Sequence, residues 1–241
     1  MQSVRFALKA RRTIIGAIAL FLVTLALMGV SGANLLNYFF TLAIAIPLGL
    51  VCGIVSAGTT ASFPTTPLKD LIFPLLATWL VLLCIPLLVV STAALFVTNC
   101  DYLSGLLFFA LGPALGALYM SALGLMLGSW LPRKWAVTSI VLWILGTAGW
   151  NLLHFYNSPQ IFAYNPIIGF YSGTIYDEVI EVSSTYLNYR VGTLSQIALF
   201  AVIAAIKRAP SRQKILLAAA SLLLLVQCGL FAYRNSLGTE I

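Results

Sequence analysis

The stretch LIFPLLATWLVLLCIPLLVVSTAALFV, residues 71–97, runs for 27 residues without an Asp, Glu, Lys, Arg or His. A helix needs about 20 mainly apolar residues to cross the ~30 Å hydrocarbon core of a bilayer, so this run reads as one membrane span. Working outward, six more runs free of ionisable residues appear, at 13–30, 35–57, 103–129, 135–153, 191–206 and 215–233. The sixth is the shortest and has Arg190 at its edge, where a long cationic side chain is expected to snorkel toward the interface. The first follows Arg5, Lys9, Arg11 and Arg12, as a signal peptide would. Its apolar run exceeds the usual ~7–15 residues of such a peptide, so it reads as a retained anchor. Seven spans give an all-α, polytopic transmembrane helix bundle.

Composition agrees. Hydrophobic residues make up 61% of the 241 and charged residues 8%, against roughly 45–50% and about 25% in soluble domains. That excludes an ordinary soluble enzyme, a disordered tail and a secreted disulfide scaffold. Cys52, Cys84, Cys100 and Cys228 fit no metal-ligand spacing.

The net charge of +7, taken alone, would suggest nucleic acid. Sorted by segment it says something else. With the N-terminus inside, the inner segments 1–12, 58–70, 130–134 and 207–214 hold 11 of the 13 basic residues, and only Arg190 and Arg234 fall outside. Asp101, Asp177, Glu178, Glu181 and Glu240 are outer, and Asp70 is inner. The excess of Lys and Arg on one side is the orientation signal of membrane proteins and gives an N-in, C-out topology. The basic groups each border a span, which suits anionic lipid headgroups and no nucleic acid. Arg5, Lys9 and Arg12 share one helical face, with Val4, Ala7 and Leu8 on another, which fits a short interfacial helix or a frayed basic terminus.

Spans without ionisable groups argue against a proton relay, which keeps a carboxylate, His or Lys in the membrane. A retinal photoreceptor needs a Lys in its last helix, and the seven-helix receptors begin outside. Pro47, Pro74, Pro86 and Pro113 fall inside the second to fourth spans, where prolines either line transport sites or are simply tolerated. Gly112, Gly116, Gly124 and Gly128 recur at multiples of four in the fourth span, and Gly49 and Gly53 do so in the second. Such small-xxx-small faces let helix backbones approach, within a chain or across a dimer. Trp130, Trp135 and Trp150 sit where aromatic interface anchors are expected. No HExxH, GxSxG or GxxxxGK[ST] motif occurs, so no catalytic constellation, cofactor site or nucleotide loop is expected. His154 with Asp177, Glu178 and Glu181 matches no known cation-site spacing, which favours a solvated acidic loop.

The outer segment 154–190, HFYNSPQIFAYNPIIGFYSGTIYDEVIEVSSTYLNYR, has nine aromatic residues in 37. Such rings favour headgroup depth, so the segment is expected to lie on, or dip into, the outer leaflet. Asn165-Pro166 and Ser172-Gly173 are turn signals, with room for a short helix near 175–183. It reads either as an outer gate, carried by Tyr164, Asn165, Pro166, Tyr176, Asp177 and Glu178, or as a lid that packs the helices.

Three stretches then carry a family resemblance: FPTTPLKDLIFPLL at 63–76, SALGLMLGSWLPRKWAVTSI at 121–140, and the outer segment. Their order resembles the membrane component of type 2 ABC exporters over roughly residues 1–206. The resemblance implies a coupling element at Pro67, Leu68, Lys69 and Asp70, and re-entrant helices between spans five and six. It also implies a homo- or heterodimer in a bacterial inner membrane, driven by a separate cytoplasmic ATP-binding subunit. The chain then divides into a six-span core, 1–206, and an additional span, 207–241, within one transmembrane domain, 1–241. That seventh span departs from the family's plain form, and no outer domain is expected after it. A charge-free bundle suits lipid-like or amphipathic cargo. A non-transporting scaffold acting through segment 154–190 is the alternative.

The charge pattern makes a direct prediction. A cysteine at Arg212 should react with membrane-impermeant maleimide only after the membrane is permeabilised, whereas one at Tyr171 should react in intact cells. The reverse pattern would invert the topology.

Overall fold

The computed structural model describes residues 11–97, 102–157, 162–172 and 182–233. Among these residues are seven helices long and apolar enough to cross a membrane: α1 Arg11–Met28, α2 Tyr38–Ser62, α3 Leu68–Ala93, α4 Tyr102–Trp130, α5 Arg133–Asn157, α6 Ser184–Arg208 and α7 Gln213–Ala232. The protein is an integral membrane helix bundle. Between α5 and α6 lies one antiparallel hairpin, β1 Phe162–Asn165 and β2 Gly169–Ser172, with Tyr164 opposite Phe170.

Successive helices alternate in direction, so the bundle has a hairpin end and an opposite, basic end. Arg12 of α1 reaches Ser62 at the close of α2 at the basic end. Tyr38 at the opening of α2 donates to the Phe170 carbonyl at the hairpin end, 3.1 Å away. Local chemistry sets several boundaries. Asn37 caps α2 by accepting the Phe40 N–H, and Ser183 caps α6 by accepting that of Tyr186. Pro67, in an extended conformation, starts α3 without a side-chain cap.

The central pair is α2 against α4, and glycine makes it possible. A Cβ on Gly124 would lie 2.5 Å from the Gly53 carbonyl oxygen, and one on Gly128 2.5 Å from that of Ala57. Neither position admits a side chain at this separation, and the close approach lets Ser56 donate to the Ser121 carbonyl at 2.6 Å. Around this seam, Ala57, Tyr119, Met120 and Leu123 pack with Ala136 and Ile140 of α5 and Ile167 of the hairpin. The periphery is looser. On α7 only Ala220 is buried, and the helix is fastened to α6 by Gln227, which donates to the Gly192 carbonyl at 3.1 Å and to the Ser195 hydroxyl. Polar pairs of this kind hold helices together where lipid removes the hydrophobic drive.

Three expectations are corrected. The sixth span begins at Ser184, not near 191, because the Ser183 cap lets the helix start in polar sequence. Arg190 therefore lies inside a spanning helix, and the membrane helices are not free of charge. Nor does Arg190 snorkel: it is 2% exposed. Residues 162–172 form strands where the resemblance implied re-entrant helices. Most of the expected helix at 175–183 and the turn partner Gly173 lie outside the described residues.

Gly124→Val should destabilise the bundle by about 1–3 kcal/mol, the usual cost of overpacking. Gly149→Ala, whose new Cβ meets nothing within 4 Å, should be neutral or stabilising by up to ~1 kcal/mol through helix propensity. Unfolding in mixed SDS and mild-detergent micelles would measure both.

Candidate functional site

The site is built where α6, α4, the hairpin and α5 meet. The polar turn starts it. Asn165 closes β1 and turns its Oδ1 back to accept the N–H groups of Ile167 and Ile168, at 2.8 and 3.3 Å. This Asx turn offers the backbone a local partner and stabilises the reversal. Gly169 completes it at φ +109, in the left-handed region, where a Cβ would also lie 2.7 Å from both the Arg190 guanidinium and the Tyr186 hydroxyl. The tip is driven into the bundle. Ile167 is buried, its side chain beside Gly49, and its carbonyl occupies the space that a Cβ on Gly116 would need. Gly112 faces the Ile168 carbonyl, 3.3 Å from where its Cβ would stand.

Arg190 holds this insertion. Its Nε donates to the Tyr186 hydroxyl at 3.2 Å, and its two terminal nitrogens to the carbonyls of Pro166 at 3.0 Å and Gly112 at 3.3 Å. The guanidinium carbon also sits 5.3 Å from the Tyr186 ring centre, a cation–π separation. Gly112 belongs to a π-helical turn, Ala110–Ala114, around Pro113. Such turns interrupt the regular carbonyl ladder and are frequent at functional sites. Among the described residues the sole acid, Asp70, is at the opposite end, so carbonyl dipoles and an aromatic face offset the buried charge. Tyr186 in turn belongs to one aromatic cluster with Tyr38, Phe108, Tyr164 and Phe170.

Beside the hairpin, on the α5 side, opens a groove of about 480 Å³, within the ~300–1,000 Å³ typical of small-molecule sites. Its α5 wall consists of Ser139, Leu142, Trp143, Gly146, Thr147, Trp150 and Asn151. These positions recur every three or four residues and so form one helical stripe. Tyr164, Asn165, Pro166 and Tyr189 form the facing wall. Among the described residues, no ionisable acid or base other than the two tyrosines lines it. Burial pushes the Tyr164 hydroxyl's pKa above its ordinary value, with a hydrogen bond to Ser183 opposing the shift, so this wall is uncharged at neutral pH.

At the basic end, Arg208 mirrors Arg190. Its guanidinium donates to the carbonyls of Thr60 (3.0 Å), Phe63 (2.8 Å) and Thr66 (2.7 Å), and to the Ser129 hydroxyl (2.8 Å). It thus caps the C-terminus of α2, where cations are favoured, and fixes the Phe63–Pro67 loop to the end of α4. Lys207 stands 5.3 Å from the Trp130 ring centre, and Trp130 Nε1 donates to the Ile203 carbonyl at 3.1 Å.

Of the residues singled out in sequence, Pro67 precedes α3 and Leu68, Lys69 and Asp70 form its first turn, with Lys69 and Asp70 exposed. Tyr164, Asn165 and Pro166 come together at the groove, while Tyr176, Asp177 and Glu178 lie outside the described residues. Gly49, Gly112 and Gly116 cradle the hairpin tip, and Gly53, Gly124 and Gly128 form the α2–α4 seam. His154 lies in the last turns of α5, and the acids considered with it fall outside the described residues. Arg208 and Gln227 were not singled out, and Arg190 was assigned to the interface. The one available signal was the interval between Arg190 and Arg208, 18 residues or five helical turns. Comparison with protein-family models, curated proteins and solved structures finds no match to this chain.

Arg190→Gln should leave the Pro166 or Gly112 carbonyl unpaired, at about 1–3 kcal/mol, and expose the hairpin to limited proteolysis. Arg190→Lys should rescue only part, because an ammonium cannot span both carbonyls. Proteolysis and thermal unfolding in detergent would check this.

Proposed function

We propose that the protein is the membrane subunit of an ATP-driven transporter, a permease of the type 2 ABC kind, that moves lipid-like or amphipathic cargo. One observation carries this reading: Arg208 grips the Phe63–Pro67 loop while Arg190 grips the hairpin that walls the groove, and both belong to α6. Separated by 18 residues, they lie on the same face of the helix and about 27 Å apart along it. A force applied to the loop at one end is therefore transmitted by a rigid element to the groove at the other. Coupling requires the driving partner to bind the two states differently.

In this reading the basic end is cytoplasmic, the N-terminus is inside and the last span ends outside, in a bacterial inner membrane. A separate cytoplasmic ATPase docks on the exposed Lys69 and Asp70 at the start of α3. The subunit works as a homo- or heterodimer, and α7, packed mainly along α6, lies at the periphery. Arg190 adds a fixed charge to the membrane region, but a guanidinium is not a proton carrier, and the energy comes from the partner.

The test is co-purification in mild detergent with photo-crosslinkers at positions 69 and 70. An adduct to a nucleotide-binding ATPase, with ATP-dependent release of a fluorescent lipid analogue from proteoliposomes, is the expected result. Arg208→Gln should retain the adduct and lose at least about tenfold in flux. Adducts and flux both absent would leave the scaffold reading in its place.

A further inference from the structure

We propose that the groove between α5 and the hairpin is a binding site for one acyl chain of a bilayer lipid whose head is uncharged and carries hydroxyl or ester oxygens. The proposal deepens the transport reading, on which it rests only in calling this lipid the cargo.

The first argument is the depth of the groove. The α5 stripe runs from Ser139 to Asn151, about 18 Å at ~1.5 Å per residue. This is roughly the span of one leaflet, given a hydrocarbon core of ~30 Å. The second is its cross-section. Gly146 lies midway along the stripe, and a Cβ built there meets nothing within 4 Å. The wall is therefore open at the point where a chain must pass, with Leu142 and Trp143 one turn deeper.

The third argument is the polarity gradient. Trp150, Asn151, Tyr164 and Asn165 gather at the hairpin end, the level at which a lipid changes from chain to head. Asn165 commits its side-chain oxygen to the turn, so its NH2 is the part that can serve a ligand. An amide donor of this kind matches an ester or hydroxyl oxygen. Trp150, 63% exposed, supplies the flat amphipathic surface that favours this depth.

Charge decides the head. Among the described residues, no Lys, Arg, Asp, Glu or His lines the groove. Arg190 is not among the lining residues and has its donors on Tyr186, Pro166 and Gly112. An anionic head drawn into this site would leave water without a counter-ion in direct contact, which is costly in a low dielectric. An uncharged head loses far less. The source of the ligand is the surrounding bilayer, because the outward faces of α5 present Leu145, Leu152 and Leu153 to lipid.

The experiment uses the full chain in nanodiscs and a monoacylglycerol carrying a diazirine in its acyl chain, with no ATPase present. The expected result is saturable labelling, about one adduct per chain, mapping to 139–151 or 164–166. Plain monoacylglycerol should compete, and the corresponding fatty-acid anion should compete at least about tenfold less well. Gly146→Leu fills the open point and should abolish the adduct, whereas Gly149→Leu, equally unhindered but outside the groove, should not. Thermal unfolding confirms that both variants fold. Asn151→Arg, which places a counter-ion at the head end of the groove, should retain the adduct and let the fatty-acid anion compete as well as the uncharged lipid. Labelling spread over α1 and α7, insensitivity to Gly146→Leu, or equal competition by the anion at the unaltered groove would each overturn the proposal. Failure here with an intact ATPase adduct and flux would leave the transporter reading standing, and the converse would leave a lipid site on a protein that does not transport.

Discussion

A guanidinium among hydrocarbon must find its hydrogen bonds in the protein, and Arg190 finds them in two main-chain carbonyls from different elements. That requirement fixes how deep the hairpin sits. With Pro166 drawn to Arg190, Ile167 has to enter the bundle, and the helices beneath it have to be bare at Gly49, Gly112 and Gly116. Gly112 serves both demands, since its missing side chain admits Ile168 and its carbonyl receives the guanidinium. The charge, which is expensive to bury alone, thereby organises the polar backbone around it.

The seven crossings were legible because a bilayer imposes one coarse rule, long apolar runs, and the chain obeys it throughout. The glycine spacing was legible for the same kind of reason, since backbones cannot approach without small residues. Hydropathy does not register where a helix begins in polar sequence, so the Ser183 cap and the first turns of α6 were lost, and Arg190 with them. The hairpin was harder still. Its strands are four residues each, and an isolated two-stranded hairpin is marginal in water. What holds it is the Tyr38 hydroxyl, Arg190 and the glycine floor, all distant in sequence. The groove is a property of two walls meeting, and only one wall, the α5 stripe, has a periodicity to read.

The bundle divides into a rigid trunk and lighter outer helices. The trunk is α2, α4 and α6, joined by the glycine seam and by guanidinium contacts at both ends. α5 touches the trunk through Ala136 and Ile140 near its basic end, and through Trp143, which donates to the Tyr119 hydroxyl at 3.1 Å. Ile144 also packs against this core, and from there to Asn151 the helix forms one wall of the groove. A cleft between a fixed wall and a lightly held helix can widen without disturbing the trunk.

The two arginines of α6 also impose a rule on the length of the chain. Each residue advances the helix by about 100° and ~1.5 Å, so a single insertion or deletion between positions 190 and 208 would swing one guanidinium off its carbonyls while the other stayed seated. No rotamer change corrects a rotation of that size. Substitutions along the interval alter packing by degrees, but its residue count is effectively quantised: α6 is a gauge block whose length sets the distance between the two faces of the bundle.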